Sequence, residues 1–478
     1  MPIDVAAVEA RLAALAPDQR AAATAPPGPV LCVAPAGSGK TTTLVARVAW
    51  LVANGADPAS ITAITFNRRA AEELGSRLSP AVGADTAIRV RTFHALGREI
   101  LAEAGVAVER LVDRATVLHS LFPDASPARL RRFDDTFSRL KLDLRVRPAD
   151  IEADPEAGPL ARAFVIYEAA LTGCRSLDFD DLVARALDAL EADRALLEHW
   201  RRRCAHLLVD EAQDVDRSQL ALALLLAAPG NRIFLVGDDD QSIYGWRLAD
   251  VRRILDLGGL LPGLLRVDLE TNYRCPDPVV ERAVRLVAVN EERFIKRIRP
   301  RLGATGRLVL APDDGDDVGR LERIADGWPQ DDASVAVLAR TNRELLPALV
   351  VALEREVPFR ATRLVSPLED ARVDALLEAA RRTDERLPLL VRLASAGATL
   401  EETVEPDAAN DEDRTAEPHE PATPAGDLVA AVVGWAVPFS DLDVFVAAVR
   451  SRRDRLIALR RDDARLTLAT VHSTKGLE

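Results

Sequence analysis

The chain has 478 residues, of which 48% are hydrophobic, and a formal net charge of −13. This length exceeds a single hydrophobic core and predicts about three or four domains. The acidic balance argues against a protein that coats nucleic acid through a generally basic surface. It leaves local basic grooves open, because global charge governs solubility and steering rather than individual contacts.

Charged residues are distributed unevenly along the chain. Carboxylates concentrate at 313–317 and 401–420, whereas arginines cluster at 129–132, 201–203 and 293–301. Each arginine cluster is open to two interpretations, a contact with nucleic acid or a solvated helix face.

The cysteine pattern indicates a reducing compartment. Cys32, Cys174, Cys204 and Cys275 have neither the spacing of metal ligands nor that of a disulfide framework. The N-terminus is acidic and amphipathic, and no charge-free run reaches membrane-spanning length. We therefore expect a cytoplasmic protein without membrane association.

Short apolar runs that end in polar residues alternate with helical stretches in the first half of the chain. This alternation predicts a parallel α/β sheet. The predicted strands are Val30–Val33, Ile61–Phe66, Ile88–Thr92, Leu207–Asp210 and Ile233–Asp238. Between Leu96 and about Asp188 the pattern is helical throughout, which predicts a helical insertion within this core.

The first predicted strand leads into A-P-A-G-S-G-K-T at residues 34–41, a segment typical of a phosphate-binding loop. A helical stretch follows, as such a motif requires. Gly37 and Gly39 allow backbone N–H groups to turn towards phosphate oxygens, and the helix N-terminus contributes its positive dipole end. Lys40 can reach the β- and γ-phosphates, and the Thr41 hydroxyl can bind Mg²⁺. Lysine is scarce in this chain, so a lysine at this position is not a background event.

The fourth predicted strand ends in two adjacent acids, Asp210 and Glu211. Ligands of open α/β sheets bind at the carboxyl ends of the strands. Asp210 can therefore hold Mg²⁺, directly or through water, and Glu211 can orient and deprotonate an attacking water. Alone, the pair could equally cap a following helix. With a phosphate loop in the same domain, hydrolysis is the better interpretation.

The most informative segment follows the fifth predicted strand and reads G-D-D-D-Q-S-I-Y-G-W-R at 237–247. Its carboxylates and Gln241 can face a nucleotide, while Tyr244 and Trp246 can stack on bases. The chain has five tryptophans and three tyrosines, so two such residues here indicate a function. The alternative interpretation is a polar loop that carries two core aromatic side chains.

A second α/β pattern begins near Leu264. Its predicted elements are the strands Leu264–Leu269, Arg307–Leu310, Val335–Ala339 and Leu466–Val471 and the helix Glu344–Arg355. Within it, about Ser366–Asp463 is mostly helical and is interrupted by Thr399–Asp427, which has a disordered composition. Two α/β cores, each with an insertion, are the predicted organisation.

Taken together, these residues resemble superfamily 1 DNA helicases of the UvrD/Rep/PcrA type, in the same order and along the whole chain. The resemblance implies an α/β fold with two RecA-like parallel-sheet P-loop cores, each carrying a mainly helical insertion. The first core is expected at 1–97 and 189–262, around an insertion at 98–188. The second is expected at 263–365 and 464–478, around an insertion at 366–463 that contains the acidic tract.

The resemblance also implies the residues that contact ATP and Mg²⁺. Gln19 would recognise adenine, since a carboxamide pairs with its N6 and N7 edge. Tyr273 would stack on adenine, Arg274 would contact the γ-phosphate as an arginine finger in cis, and Gln241 would link that phosphate to the DNA groove. The implied catalytic residues are Lys40, Asp210, Glu211, Gln241 and Arg274. The implied nucleotide-binding residues are Gln19, Ala34, Pro35, Ala36, Gly37, Ser38, Gly39, Lys40, Thr41, Thr42, Tyr273, Arg274 and Glu478, and the implied metal ligands are Thr41 and Asp210.

A further set of residues is implied to contact single-stranded DNA. This set is Phe66, Asn67, Thr92, His94, Tyr244, Trp246 and His472. Base stacking is worth ~1–3 kcal/mol per base and tolerates any sequence. A plain core role is the alternative for Phe66, and no Cys or His cluster accompanies His94 to support a zinc site. The acids of D-F-D-D at 178–181 are expected to be caps and fold contacts.

Three departures from the family pattern affect these expectations. Thr42 stands where many relatives carry an arginine that stacks on adenine. The second insertion is shorter than in the best-known members of the family, which bears on how a duplex would be engaged. The chain stops at Glu478, before the block that would supply a second arginine finger, so either a fragment or a natural truncation is expected. Because that block is missing, we expect the 478 residues to bind ATP through the first core but to hydrolyse it slowly and unwind little.

Three hypotheses for function follow. The leading one is an ATP-dependent DNA helicase and translocase that moves 3′ to 5′ along single-stranded DNA, in repair or recombination. It would act on single strands and duplex junctions as a monomer, with repair proteins as possible partners. The alternative is a DNA- and ATP-binding module with little turnover. A helicase–nuclease motor would need a nuclease domain that the sequence does not contain.

Overall fold

The computed structural model describes residues 4–83, 87–245, 248–311, 315–328, 333–361, 364, 366–400 and 425–475. The chain divides into two compact units, Met1–Val309 and Leu310–Glu478. The prediction of an α/β fold with two parallel sheets is confirmed.

Among the described residues, six parallel strands form the sheet of the first unit. They are β1 (Val30–Val33), β2 (Ile61–Thr65), β3 (Arg89–Thr92), β4 (His206–Val209), β5 (Ile233–Gly237) and β6 (Leu265–Asp268). Their spatial order is β3-β2-β4-β5-β1-β6. The predicted strands of the first core thus agree with the structure to within a residue at either end.

The central strands read as continuous apolar runs because the sheet is covered on both faces. Alternate residues of each strand enter different cores: Leu31 and Leu235 pack on one face, and Cys32 and Phe234 pack on the other. Every residue of β1, β2, β4 and β5 is buried. This burial fixes the strands rigidly and leaves their carboxyl ends as the natural place for a site.

Helices surround this sheet. The helices before the insertion are α1 (Val5–Ala13), α2 (Pro17–Ala23), α3 (Lys40–Ala53), α4 (Arg68–Val82) and α5 (Phe93–Glu103). Those of the insertion region are α6 (Arg114–Leu121), α7 (Pro127–Ser138), α8 (Pro148–Glu152), α9 (Pro159–Cys174) and α10 (Asp181–Ala192). Those that follow are α11 (Arg194–Arg203), α12 (Arg217–Ala227), α13 (Arg252–Leu255), α14 (Leu257–Leu260) and α15 (Asp277–Val287).

One strand differs from its prediction. The run Leu264–Leu269 was expected in the second core, but β6 pairs with β1 in register from Val30–Leu265 to Val33–Asp268. The predicted apolar run does form a strand, but its neighbour in the sheet was predicted wrongly. Pairing between residues more than 200 positions apart leaves no local signal in the sequence. The expected strand Arg307–Leu310 is also wrong, since these residues are not in a strand.

The helical insertion is built on a small core of its own. Helices α6 to α9 bury a cluster of aromatic and aliphatic side chains that includes Phe133, Phe137, Phe164 and Tyr167. By contrast, α5 and α10 pack against the main core of the first unit. These two helices approach closely at Gly97, where an added Cβ would lie 2.1 Å from the Leu182 carbonyl oxygen.

A buried ionic network connects the insertion to the main core. The Asp178 carboxylate is fully buried and accepts hydrogen bonds from Arg114 (Nη2, 2.7 Å), Lys141 (Nζ, 2.8 Å) and Tyr167 (Oη, 2.9 Å). Although burial raises the pKa of Asp178, the two cations hold it well below its usual range. Asp181 donates its backbone N–H to Asp178 Oδ1. The expectation that these acids make fold contacts is confirmed.

In the described part of the second unit, three parallel strands form a sheet in the order β10-β11-β9. These strands are β9 (Val335–Ala339), β10 (Phe359–Arg360) and β11 (Leu466–Thr470). The helices are α16 (Asp317–Ala325), α17 (Asn342–Glu354), α18 (Ala371–Arg381), α19 (Leu389–Leu400), α20 (Ala425–Ala436) and α21 (Leu442–Leu459). Residues 401–424 of the acidic tract lie outside the described residues. A two-residue parallel pair, β7 (Thr271–Asn272) with β8 (Arg299–Pro300), lies in the first unit.

Within the described ranges, no helix combines the length and apolar character that crossing a membrane requires.

We predict that Asp178→Asn lowers the free energy of unfolding by about 1–3 kcal/mol, because it removes the fully buried negative charge that Arg114 and Lys141 share, although other acids still pair with both cations. Urea denaturation followed by circular dichroism measures this change. The matched control is Asp134→Asn, which removes a half-exposed partner of the same Arg114 and should cost about 1 kcal/mol or less. Equal effects of the two substitutions would contradict the importance of the buried network.

Candidate nucleotide and DNA site

The residues predicted for the site in the first unit follow the carboxyl ends of its strands. Segments 34–41, 66–67, 210–211 and 238–241 follow β1, β2, β4 and β5 respectively, and Thr92 ends β3. Because all six strands are parallel, these segments meet at one edge of the sheet. The predicted site residues of the first unit are thus brought together at one edge, and their roles stay predictions.

The loop after β1 has the backbone of a phosphate cradle. Gly37 and Gly39 have φ angles of 71° and 84°, a conformation that glycine adopts at little cost. Space reinforces the requirement, since a Cβ on Gly39 would lie 2.5 Å from Gln19 Nε2. Helix α3 begins at Lys40, so the loop places its N–H groups at a helix N-terminus. The Ser38 hydroxyl is buried and has no hydrogen-bond partner among the residues that the structure describes.

Lys40 and Glu211 form an ion pair across the site. Lys40 Nζ lies 2.9 Å and 2.8 Å from the two Glu211 carboxylate oxygens. The two side chains are 14% and 15% exposed. Although burial lowers the pKa of Lys40, the charges of Glu211 and Asp210 more than offset it and raise the pKa above its ordinary value. Lys40 is therefore cationic, and its ammonium group faces the Glu211 carboxylate.

Asp210 is a half-buried carboxylate beside another acid. Burial, and then the charge of Glu211, raises the pKa of Asp210 to about 7. Such a group favours a neighbouring cation. Glu211 itself has a φ of 51°, a left-handed conformation that costs about 1–3 kcal/mol for a non-glycine residue. The surrounding packing thus holds Glu211 in an orientation that its backbone alone would not choose.

These residues fit a magnesium ion. Mg²⁺ usually keeps several waters and takes one or two carboxylates together with substrate phosphates. Asp210 supplies a carboxylate, and Thr41 lies in the first turn of α3 beside the phosphate cradle. Within the described residues no group of three or more His, Cys, Asp or Glu side chains forms a complete protein cage for a metal ion. The donor set is thus of the kind that holds Mg²⁺ jointly with a nucleotide.

Gln213 connects the segments after β4 and β5. Its Nε2 donates to Glu211 Oε2 (2.7 Å) and its Oε1 accepts the Asp238 backbone N–H (2.9 Å). A side chain on Gly237 would displace the Gln213 amide, because a Cβ there would lie 2.5 Å from Gln213 Oε1. Sequence reasoning missed Gln213 although it lies within the acidic segment, since a glutamine there gave no sign of its partners.

Asp238 connects the phosphate loop to Gln241. Its Oδ2 accepts the Ala36 backbone N–H (3.1 Å) and the Gln241 side-chain amide (2.7 Å). Gln241 is therefore linked to the phosphate loop through Asp238, and its role as a sensor stays a prediction.

Gln19 and Asn272 hold the same loop from other directions. Gln19 Nε2 donates to the Ser38 carbonyl (2.9 Å), and its Oε1 accepts the Ala16 N–H (3.2 Å). Asn272 Nδ2 donates to the Ala36 carbonyl (2.8 Å), and its Oδ1 accepts the backbone N–H groups of Arg274 and Cys275. Asn272 was quoted in a motif without a role, and its contacts explain why a carboxamide stands there.

Tyr273 and Arg274 lie beside the phosphate loop. The Tyr273 backbone N–H donates to the Gly37 carbonyl (2.8 Å), and a Cβ on Gly37 would be 2.8 Å from Arg274 Cβ. Tyr273 is 41% exposed. Both residues thus belong to the first unit, and their side chains remain available. Their predicted roles, like that of Gln19 towards adenine, stay predictions.

The predicted DNA-contacting residues after β2, β3 and β5 pack with other aromatic side chains. Tyr244 is only 8% exposed and stacks on Phe66, with ring centroids 4.9 Å apart. His94 stacks on Phe179 at 3.8 Å.

The other members of this set are in varied positions. Asn67 and Thr92 cap the N-termini of α4 and α5, and His472 follows β11 in the second unit. Trp246 and Glu478 lie outside the described residues. Base stacking by these aromatic residues stays a prediction.

We predict that Asn272→Ala weakens binding of a fluorescent ATP analogue and lowers the free energy of unfolding by about 1–3 kcal/mol. The substitution leaves the Ala36 carbonyl and two N–H groups without their partner. Equilibrium titration and thermal denaturation measure the two effects. The control is Asn290→Ala, an exposed asparagine in the same unit. Unchanged affinity would show that the loop does not need this anchor.

Comparison with known proteins places the chain in a family. The family model of the UvrD/REP helicase N-terminal domain matches residues 15–260, more than half of the chain. ATP-dependent DNA helicase Rep of Salmonella typhimurium is 33% identical over 313 residues, which cover 62% of this chain and 46% of that protein. Rep of Escherichia coli is 33% identical over 312 residues, which cover the same shares.

ATP-dependent DNA helicase PcrA of Staphylococcus aureus is 33% identical over 283 residues, which cover 56% of this chain and 39% of that protein. The chain therefore spans less than half of the length of these relatives. The matched region contains β1 to β5 and all of their carboxyl-end segments. The chain belongs to the UvrD/REP helicase family.

Proposed function

We propose that this chain is the ATP-hydrolysing and DNA-translocating part of a DNA helicase that moves 3′ to 5′ along single-stranded DNA in repair or recombination. The observation that carries the proposal is the Lys40–Glu211 pair at the carboxyl edge of a parallel sheet. The similarity to Rep and PcrA supports the same function. The protein would act as a monomer in the cytoplasm on single strands and duplex junctions.

Nucleotide binding is assigned to the loop after β1. Backbone N–H groups within 37–42 would bind the phosphates, with Lys40 on the β- and γ-phosphates, whereas Ala34, Pro35 and Ala36 would shape the loop, since Pro35 has no N–H and the other two donate to Gly237 and Asp238. Gln19 and Tyr273 would contact adenine, and Arg274 would neutralise charge on the γ-phosphate. Glu478 is proposed for the ribose from the family resemblance. A bound Mg²⁺, held by Thr41 and Asp210, would neutralise phosphate charge.

Glu211 is proposed as the base that orients and deprotonates the attacking water. A base must be available to the water, and in the structure the Glu211 carboxylate is engaged by Lys40. A γ-phosphate at Lys40 would supply a competing anion, so nucleotide binding would release Glu211. Glu211 would then act as a base only when a nucleotide occupies the site.

Coupling to DNA is assigned to the segments beside the nucleotide. Tyr244 lies three residues after Gln241 and stacks on Phe66. A DNA base that contacts this pair would therefore affect the position of Gln241. Asn67, Thr92, His94, Trp246 and His472 would complete the DNA track. We also propose the division into two cores with insertions at 98–188 and 366–463. Two cores that close on ATP would move the protein by one step along the DNA strand.

We predict that Lys40→Ala abolishes ATP hydrolysis and weakens ATP binding, because it removes the phosphate's charge partner. Glu211→Gln should also abolish hydrolysis, while ATP still binds. Fluorescent nucleotide titration and phosphate release with oligothymidine measure binding and turnover separately. The matched control is Glu198→Gln, an exposed glutamate on α11 paired with Arg201, which should behave as the unaltered chain. Wild-type turnover of Glu211→Gln would remove it from the mechanism.

Polarity is tested by strand displacement. We predict faster displacement from a duplex with a 3′ single-stranded tail than from one with a 5′ tail. A protein that binds the tail and moves 3′ to 5′ travels towards the duplex only on the 3′ tail. Lys40→Ala provides the baseline without ATP-driven movement. Faster displacement from the 5′-tailed duplex would overturn the assigned direction.

A further inference from the structure

Three consecutive carboxylates, Asp238, Asp239 and Asp240, follow β5 and precede Gln241. Their side chains are 3%, 0% and 7% exposed. Burying a carboxylate is unfavourable unless the group is paired and hydrogen-bonded. A turn that carries three of them needs compensation from elsewhere in the unit.

A segment more than fifty residues away supplies that compensation. Lys296 Nζ lies 2.7 Å from Asp238 and 2.9 Å from Asp240, also contacts Asp239, and its side chain is 0% exposed. Arg293 binds both oxygens of Asp240, at 2.8 Å and 2.7 Å. Although burial lowers the pKa of Lys296, the aspartates raise it above its ordinary value. One lysine and one arginine thus face all three acids.

Backbone and side-chain contacts hold this segment against the main sheet. The Phe294 N–H donates to Asp239 Oδ2 (2.8 Å). Arg266, on β6, donates to the Ile295 carbonyl (2.9 Å) and lies over the Phe294 ring at 4.4 Å. Since β6 pairs with β1, the segment is fixed to the strand next to the one that carries the phosphate loop.

Asp238 transmits this anchoring to the site. One of its oxygens, Oδ1, accepts from Lys296 and from the Asp240 N–H, while Oδ2 accepts from the phosphate loop at Ala36 and from Gln241. The position of Asp238 therefore decides where both the loop N–H and the Gln241 amide point. Without the lysine, three like charges would repel each other and splay the turn.

We propose that Lys296, assisted by Arg293, is a positioning residue that fixes Asp238 and Gln241 against the phosphate loop and so sets the rate of ATP hydrolysis. The effect on rate rests on the proposed function, whereas the geometric effect does not. Lys296 contacts no reacting atom and acts through Asp238. Misplacement of such a supporting group by about 1 Å can lower turnover by about a hundredfold.

The test uses the full chain with four forms: unaltered, Lys296→Met, the double variant Lys296→Met with Asp239→Asn, and the control Arg297→Met. Methionine retains length and apolar bulk but removes the Lys296 charge, so that Arg293 alone faces the three acids. Asp239→Asn then reduces the surplus negative charge. Arg297 is the neighbouring exposed cation. Thermal denaturation establishes that each form is folded, and Arg293→Gln replaces Lys296→Met if that form does not fold.

Two readouts are measured on each form. Phosphate release at varied ATP gives kcat and KM, and hydrogen–deuterium exchange follows peptides covering 34–40 and 238–242. For Lys296→Met we expect kcat to fall about tenfold to a hundredfold, with KM for ATP within about threefold of the unaltered value. Exchange should rise in the two peptides and not in the α9 peptide, and the double variant should recover part of both losses.

Two results would overturn the proposal. One is a kcat and an exchange pattern of Lys296→Met that match those of Arg297→Met. The other is exchange that rises throughout the sheet, with no recovery in the double variant, which would mean that Lys296 only stabilises the fold. If the unaltered chain releases no phosphate, the proposed function fails, and the exchange data alone decide whether Lys296 positions the turn.

Discussion

The ion pair between Lys40 and Glu211 is the interaction on which the rest of the site depends. It joins the helix that begins at the phosphate loop to the end of β4, in a position where water is largely excluded. In such surroundings an unpaired charge is costly, so each partner needs the other until an anion or cation of comparable charge arrives. The pair thus keeps the lysine cationic, and it makes a γ-phosphate the natural replacement for the carboxylate.

The same electrostatic constraint organises the neighbouring segments. Burial of Asp210 beside Glu211 raises its pKa to about 7, and burial of the three aspartates after β5 requires Lys296 and Arg293. Gln213 and Asp238 connect these groups by hydrogen bonds. The phosphate loop, Glu211, Gln213, Asp238 and Gln241 are thus joined by a continuous set of hydrogen bonds and ion pairs.

The sequence was sufficient for those features that local pattern determines. Apolar runs ending in polar residues gave β1 to β5, because buried parallel strands have this composition, and glycine spacing gave the loop at 34–41. Features that depend on distant pairing were not accessible. The strand Leu265–Asp268 was given to the wrong sheet, and Lys296 was counted within an arginine-rich stretch although it pairs with residues more than fifty positions earlier. The stack of Tyr244 on Phe66 was not accessible either, because the two residues lie far apart in sequence. For Lys296, the available signal in the sequence was the scarcity of lysine. Lys40, Lys141 and Lys296 all form buried or nearly buried ion pairs.

The most direct measurement of the central claim is a crystal structure of the chain with Mg²⁺ and a non-hydrolysable ATP analogue. The account predicts that Lys40 Nζ binds the β- and γ-phosphate oxygens, that its distance to the Glu211 carboxylate opens beyond the range of an ion pair, and that Glu211 faces the γ-phosphate through a water. A nucleotide bound elsewhere, or one bound at residues 34–41 while Lys40 and Glu211 remain paired as they are now, would contradict it.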